Sequence, residues 1–214
     1  MQNINMATIA IIVANVIISL KGFNDFSFFE KYKFNIAGIR KGENIRMFSS
    51  GFLHADFSHL LFNMITLYFF ANVVIISLGV VKFILIYLAS LVFGNLLSFF
   101  FHKEEFHYSA IGASGAVMGI LYSAILFDPN AMLIVFVIPM KAWIFGILFL
   151  LFSIYGMKKS IGNIGHDAHF GGAIAGYILT IAFAPYLLDT HLWIVTLLAL
   201  PIVLLFILLK LKKI

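Results

Sequence analysis

Ala168-His169-Phe170-Gly171-Gly172-Ala173-Ile174-Ala175-Gly176 opens an apolar run that continues to Leu188, and its reading decides the fold. A helix needs about 20 such residues, each rising about 1.5 Å, to cross a bilayer. An imidazole stands at the start of this run. An ionisable group there costs a few kcal/mol and therefore marks a functional site. Gly172 and Gly176 form a small-residue stripe on one helix face, which lets a neighbouring backbone come close.

Working outward, six more apolar runs appear: Met6–Leu20, His59–Leu78, Val81–Phe101, Ser114–Phe127, Met132–Ile154 and Leu192–Leu209. The chain has 214 residues, 63% hydrophobic and 11% charged, whereas a soluble domain is roughly half apolar and a quarter charged. The expectation is an all-α polytopic membrane protein forming a single domain over residues 1–214. Its core covers about residues 6–188, and a seventh, C-terminal helix covers about 192–209. No basic region precedes Met6–Leu20 and no small-x-small site follows it, so this run reads as an uncleaved first helix. The absence of cysteine excludes disulfides, thiol nucleophiles and thiolate metal sites. A net charge of +5 on so apolar a chain points to membrane lipids as partners rather than nucleic acid. Pro139 and Pro201 are expected to kink the fifth and seventh helices. The connection Gly22–Phe57, with Lys21 at its edge, holds six of the fourteen Lys and Arg and many aromatics, a mixture suited to the membrane interface.

Three polar phrases share a geometry. The second, fourth and sixth runs cross in the same direction, so their starts open on one side. His59 and Asn63 begin the second, Ser114 the fourth and His169 the sixth. Gly115-x-x-x-Gly119 on the fourth run and Gly172-x-x-x-Gly176 on the sixth provide for close packing of those two helices. Such packing is what a hydrogen bond of about 2.6–3.2 Å between Ser114 and His169 requires. His59 and Asn63, one turn apart, carry N–H donors suited to an oxyanion, and the Ser114 amide at a helix start is another. No carboxylate completes a triad. Asp56 and Asp167 precede or begin helices and read as caps. His54, His102, His107, His166 and His191 read as ordinary interfacial residues. His59 and His169 lack an acidic partner in the spans, so neither a metal site nor a cofactor is expected.

At these residues the chain resembles the rhomboid intramembrane serine proteases. The resemblance rests on Arg46…His54…His59-x-x-x-Asn63, Gly112-x-Ser114-Gly115 and Ala168-His169-x-x-Gly172-x-x-x-Gly176, in that order, and covers roughly Gly22 to Leu188. It implies Ser114 as nucleophile, His169 as general base and acid, and His59 and Asn63 as oxyanion donors. It also implies Arg46 in the framework of a loop lying partly in the membrane, a six-helix core with an added seventh helix, and transmembrane proteins as substrates. Ile45 replaces a tryptophan frequent in the family, Met118 an aromatic that stacks on the histidine, and apolar residues around Ile75 a glutamate.

Two other functions fit a polytopic chain: a related protein that holds membrane clients without cutting, and a transporter, which would show repeats that are absent here. The resemblance implies a multi-pass protein of the cell membrane whose site opens outward. The charge distribution points the other way: only Lys82 and Lys141 lie opposite the side that carries the remaining Lys and Arg.

Overall fold

The computed structural model describes residues 4–135, 137–159, 161 and 164–213. Helix α1 (Met6–Asn24) is followed by α2 (Phe26–Tyr32), a short strand β1 (Phe34–Asn35), α3 (Ile36–Arg40), α4 (Arg46–Ser49) and a 3-10 turn at Ser50–Phe52. Then come α5 (Phe57–Leu78), α6 (Val80–His102), β2 (Ser109–Ala110), α7 (Ser114–Phe127), β3 (Met132–Val135) and β4 (Ile138–Lys141). Helices α8 (Ala142–Lys159), α9 (His166–Phe183), α10 (Leu187–Thr190) and α11 (Leu192–Lys210) complete the chain. Among the described residues, α1, α5, α6, α8 and α11 are long and apolar enough to cross a membrane. Helices α7 and α9 lie among them. The protein is an all-α, multi-pass membrane protein.

Helix α7 is the axis of the assembly. Every residue from Gly115 to Leu126 is buried. Its fourteen residues span roughly 21 Å, short of the ~30 Å hydrocarbon layer. A helix this short can begin below the membrane surface only if other protein surrounds its end. That cover comes from the long connection after α1. Asn5, Asp25, Asn35 and Asp56 accept hydrogen bonds from the N–H groups of Ala7, Phe28, Gly38 and His59, capping α1, α2, α3 and α5. Antiparallel pairing of Phe34 with Ala110 and Asn35 with Ser109 then ties this connection to the segment leading into α7.

Two expected helix boundaries are corrected. Met132–Ile154 is not one helix: residues 132–135 and 138–141 pair antiparallel, and the helix starts at Ala142. Pro139 therefore lies in a strand rather than a helix, with Ile134, Val135 and Ile138 beside it. Proline has no N–H to donate and bars its predecessor from helical angles, and β-branched neighbours favour extended backbone. The sixth helix begins two residues early, at His166, and stops at Phe183. Ala184, ahead of Pro185, leaves helical geometry at φ −137° and ψ 64°. Pro201 does sit inside α11.

Helices α7 and α9 touch backbone to backbone. A side chain at Gly172 would collide with the Gly115 carbonyl, and one at Gly176 with the Gly119 carbonyl. Helix α6 joins at the same level, where a side chain at Gly94 would lie 2.6 Å from the Ala168 carbonyl oxygen. We expect Gly172→Ala to cost about 1–3 kcal/mol of stability by overpacking, measured as unfolding in detergent. Gly22→Ala, whose new methyl would meet the tip of the Leu53 side chain at 2.9 Å, should cost less. Equal stability of Gly172→Ala and wild type would contradict this packing.

Candidate active site

The site lies where the first turns of α5, α7 and α9 meet. Gly112, just before α7, has φ +122°, a region that side chains disfavour. The place where its side chain would begin is 2.8 Å from His59 Nε2 and 3.6 Å from Ser114 Oγ. His59 and Ser114 therefore flank one small opening. From the other direction, the corresponding point at Gly115 lies 3.2 Å from the carbonyl oxygen of Ala168, the residue before His169. The fold thus places His59 beside Ser114, and the residue before His169 beside Gly115.

The hydrogen bonds among these groups are fewer than the sequence suggests. Among the described residues, Ser114 Oγ makes no hydrogen bond, and His169 Nδ1 is buried without a partner. The His169 ring rests 5.6 Å from that of Phe149 on α8 and 6.5 Å from that of His166. Asn63 is buried and uses one amide N–H to bond the His59 carbonyl at 3.0 Å, leaving its second donor uncommitted. Arg46 donates to the carbonyls of Glu30 at 2.7 Å and Lys33 at 3.0 Å, and its Nε lies 2.5 Å from Glu43 Oε2. It thus clamps α2, β1 and α4 together.

His54 is not interfacial: it is fully buried and braces the approach to Ser114. Ala113 N–H donates to its Nε2 at 3.4 Å, so its Nδ1–H donates to Ser19 Oγ at 2.8 Å, and Ser19 in turn donates to the Phe52 carbonyl at 3.0 Å. Burial pushes its pKa down to about 3, with His59 adding to the fall, so the ring stays neutral and its Nε2 can accept. Gly112 N–H also bonds the Ser50 carbonyl at 3.0 Å. The loop into α7 is therefore held from two sides.

His102, His166 and Asp167 also depart from expectation. His166 is buried, with Nε2 3.2 Å from the Ile161 carbonyl. Asp167 does not cap its helix; the cap position is Gly165, without a side-chain bond. Its carboxylate, 5% exposed, lies 3.5 Å from His102 Nε2 at the end of α6. The other His102 nitrogen is 3.0 Å from Glu105 Oε1, and the ring stacks on Tyr108 at 3.6 Å. This pair ties the start of α9 to α6 two residues before His169. No periodicity reveals a partner 65 positions away; an acid at the mouth of an apolar run was the only clue. Removing one member leaves a buried charge unpaired. We expect His102→Gln and Asp167→Asn to be coupled by about 0.5–3 kcal/mol in a double-mutant cycle read by unfolding. Additive effects would contradict the pairing.

Comparison with known proteins agrees with this architecture. The profile described as the Rhomboid domain matches residues 41–186. RHOMBOID-like protein 12, mitochondrial, of Arabidopsis thaliana is 27% identical over 79% of this chain and 56% of its own length. Putative rhomboid protease YdcA of Bacillus subtilis is 32% identical over 67% of this chain and 69% of its own. Rhomboid protease GluP of the same organism is 31% identical over 67% of this chain and 27% of its own. The chain spans about half the length of the first curated relatives it matches. With the profile covering most of the chain and the same helices carrying the three motifs, the chain belongs to the rhomboid family.

Proposed function

We propose that the chain is an intramembrane serine endopeptidase that cuts transmembrane segments of membrane proteins. The observation that carries this reading is the meeting of three helix starts, with His59 and Ser114 flanking Gly112 and Gly115 against the residue before His169. Two Bacillus relatives named as proteases support it.

In this reading Ser114 Oγ attacks the scissile carbonyl carbon while His169 takes the hydroxyl proton. The carbonyl oxygen becomes an anion, met by the free N–H of Asn63, by His59 and by the Ser114 amide. His169 then gives its proton to the departing amine, leaving an acyl-serine, and activates the water that releases it. The uncommitted Ser114 hydroxyl must turn to His169 as substrate enters, since catalytic hydrogen bonds commonly tighten only in the bound complex. A helix hides its peptide bonds in its own hydrogen bonds, so suitable substrates unwind readily near the cut. We further propose that the protein lies in the cell membrane with this site opening outward.

Ser114→Ala and His169→Ala should each abolish cleavage of a reporter transmembrane substrate, by at least about 10³ in rate, and the double variant should be no slower. A serine-directed fluorophosphonate should label wild type and not Ser114→Ala. Cleavage near wild type in folded Ser114→Ala would overturn the proposal. Absence of both labelling and cleavage in folded wild type would favour a protein that holds clients without cutting them.

A further inference from the structure

A cleft lies away from Ser114, between α1 and the connection that follows it. Ile18 of α1, Phe28 and Tyr32 of α2, and Ile45, Phe48 and Phe52 around α4 enclose a cleft of about 260 Å³. Its walls are aromatic and aliphatic, with Phe28 packed on Tyr32 at 4.7 Å and Phe48 on Phe52 at 5.3 Å. Two cations stand at its rim. Lys21 Nζ lies 4.4 Å from the centre of the Phe28 ring, and Lys31 Nζ 5.4 Å from that of Tyr32. Lys21 is three residues beyond Ile18, about 4.5 Å of helix rise toward the end of α1 where the chain leaves the membrane.

Charge pairing separates these two lysines from their neighbours. Glu30 is taken by Lys33 at 2.7 Å, Glu43 by Arg46 at 2.5 Å, and Glu104 lies 3.6 Å from Arg40. Asp25 accepts the Phe28 N–H as a helix cap. Among the described residues neither Lys21 nor Lys31 has an acidic partner. Both remain exposed beside an apolar cleft.

We propose that this cleft binds one phospholipid with an anionic headgroup, its acyl chain along Ile18 and between the aromatic pairs, its phosphate between Lys21 and Lys31. The chemistry matches at both ends: apolar walls along the acyl chain, with Lys21 about one helical turn beyond Ile18 and Lys31 over the Tyr32 ring, neither paired with an acid among the described residues. An acyl chain alone would fill the cleft without regard to headgroup; two lysines at the surface make the headgroup matter. The site also accounts for part of the basic excess at this end of the molecule. Arg40, Lys33 and Arg46 hold the connection together, and Lys21 and Lys31 face lipid. The site is independent of whether Ser114 cuts anything.

The test is native mass spectrometry of the full chain released from detergent, titrated with dioleoyl phosphatidylglycerol and, separately, dioleoyl phosphatidylcholine. Wild type should hold its first phosphatidylglycerol about ten-fold or more tighter than phosphatidylcholine. The double variant Lys21→Gln/Lys31→Gln should lose most of that preference while its phosphatidylcholine binding stays unchanged. Ile18→Trp, which fills the cleft, should weaken the first binding of both lipids. Equal affinities in wild type, an undiminished preference in the lysine double variant, or unaltered binding in folded Ile18→Trp would each overturn the proposal.

Discussion

The backbone contact between α7 and α9 is the constraint on which the rest depends. Within a bilayer there is little hydrophobic gain in bringing two apolar helices together, so association relies on close packing and on polar contacts. Glycine at 115, 119, 172 and 176 removes every side chain that would hold the two backbones apart. Once they touch, the first turn of α7 and that of α9 have fixed relative positions, and Ser114 and His169 follow. Deeper along the same seam, Thr180 hydrogen-bonds Ser123 at 2.7 Å, which fixes the register of one helix against the other. Helix α6 closes the group, with Gly94 against Ala168 and His102 against Asp167.

A short central helix creates a second demand. Since α7 is too short to cross the hydrocarbon layer by itself and is buried along its length, the chain leading into it must satisfy its polar groups within the protein. The connection between α1 and α5 meets that demand with short, capped elements rather than with one long helix. Arg46 gathers two carbonyls and a carboxylate, and His54 bonds the backbone next to Ser114 while reaching back to α1 through Ser19. What looks in sequence like a basic, aromatic surface loop braces the backbone that leads into α7, through His54 to Ala113 and Ser50 to Gly112.

The seven apolar runs and the small-residue stripes were readable because membrane thickness and helix rise leave few alternatives for such runs. That the starts of α5, α7 and α9 share one end follows from counting crossings alone. Two kinds of feature were hidden. The strands 132–135 and 138–141 read as helix because apolar length does not distinguish the two, although Pro139 and its β-branched neighbours carry the signal. The roles of His54, His102 and Asp167 depend on partners 35 to 65 positions away, Ser19 and His102 among them. Such pairings arise from the fold and leave no periodic mark. The missing Ser114–His169 hydrogen bond was equally beyond sequence, since stripes bring backbones together without setting a side-chain rotamer.

In the proposed function, glycine contact between α7 and α9 is what positions Ser114 for reaction. The most direct measurement is the rate of fluorophosphonate labelling at Ser114 in wild type, Gly22→Ala and Gly172→Ala, each corrected for the folded fraction. Folded Gly172→Ala, its Ser114 and His169 both intact, should label at least about ten-fold more slowly than wild type, as expected when reacting groups are displaced by an ångström or so. Gly22→Ala should label at close to the wild-type rate. Labelling of folded Gly172→Ala at the wild-type rate would contradict the account.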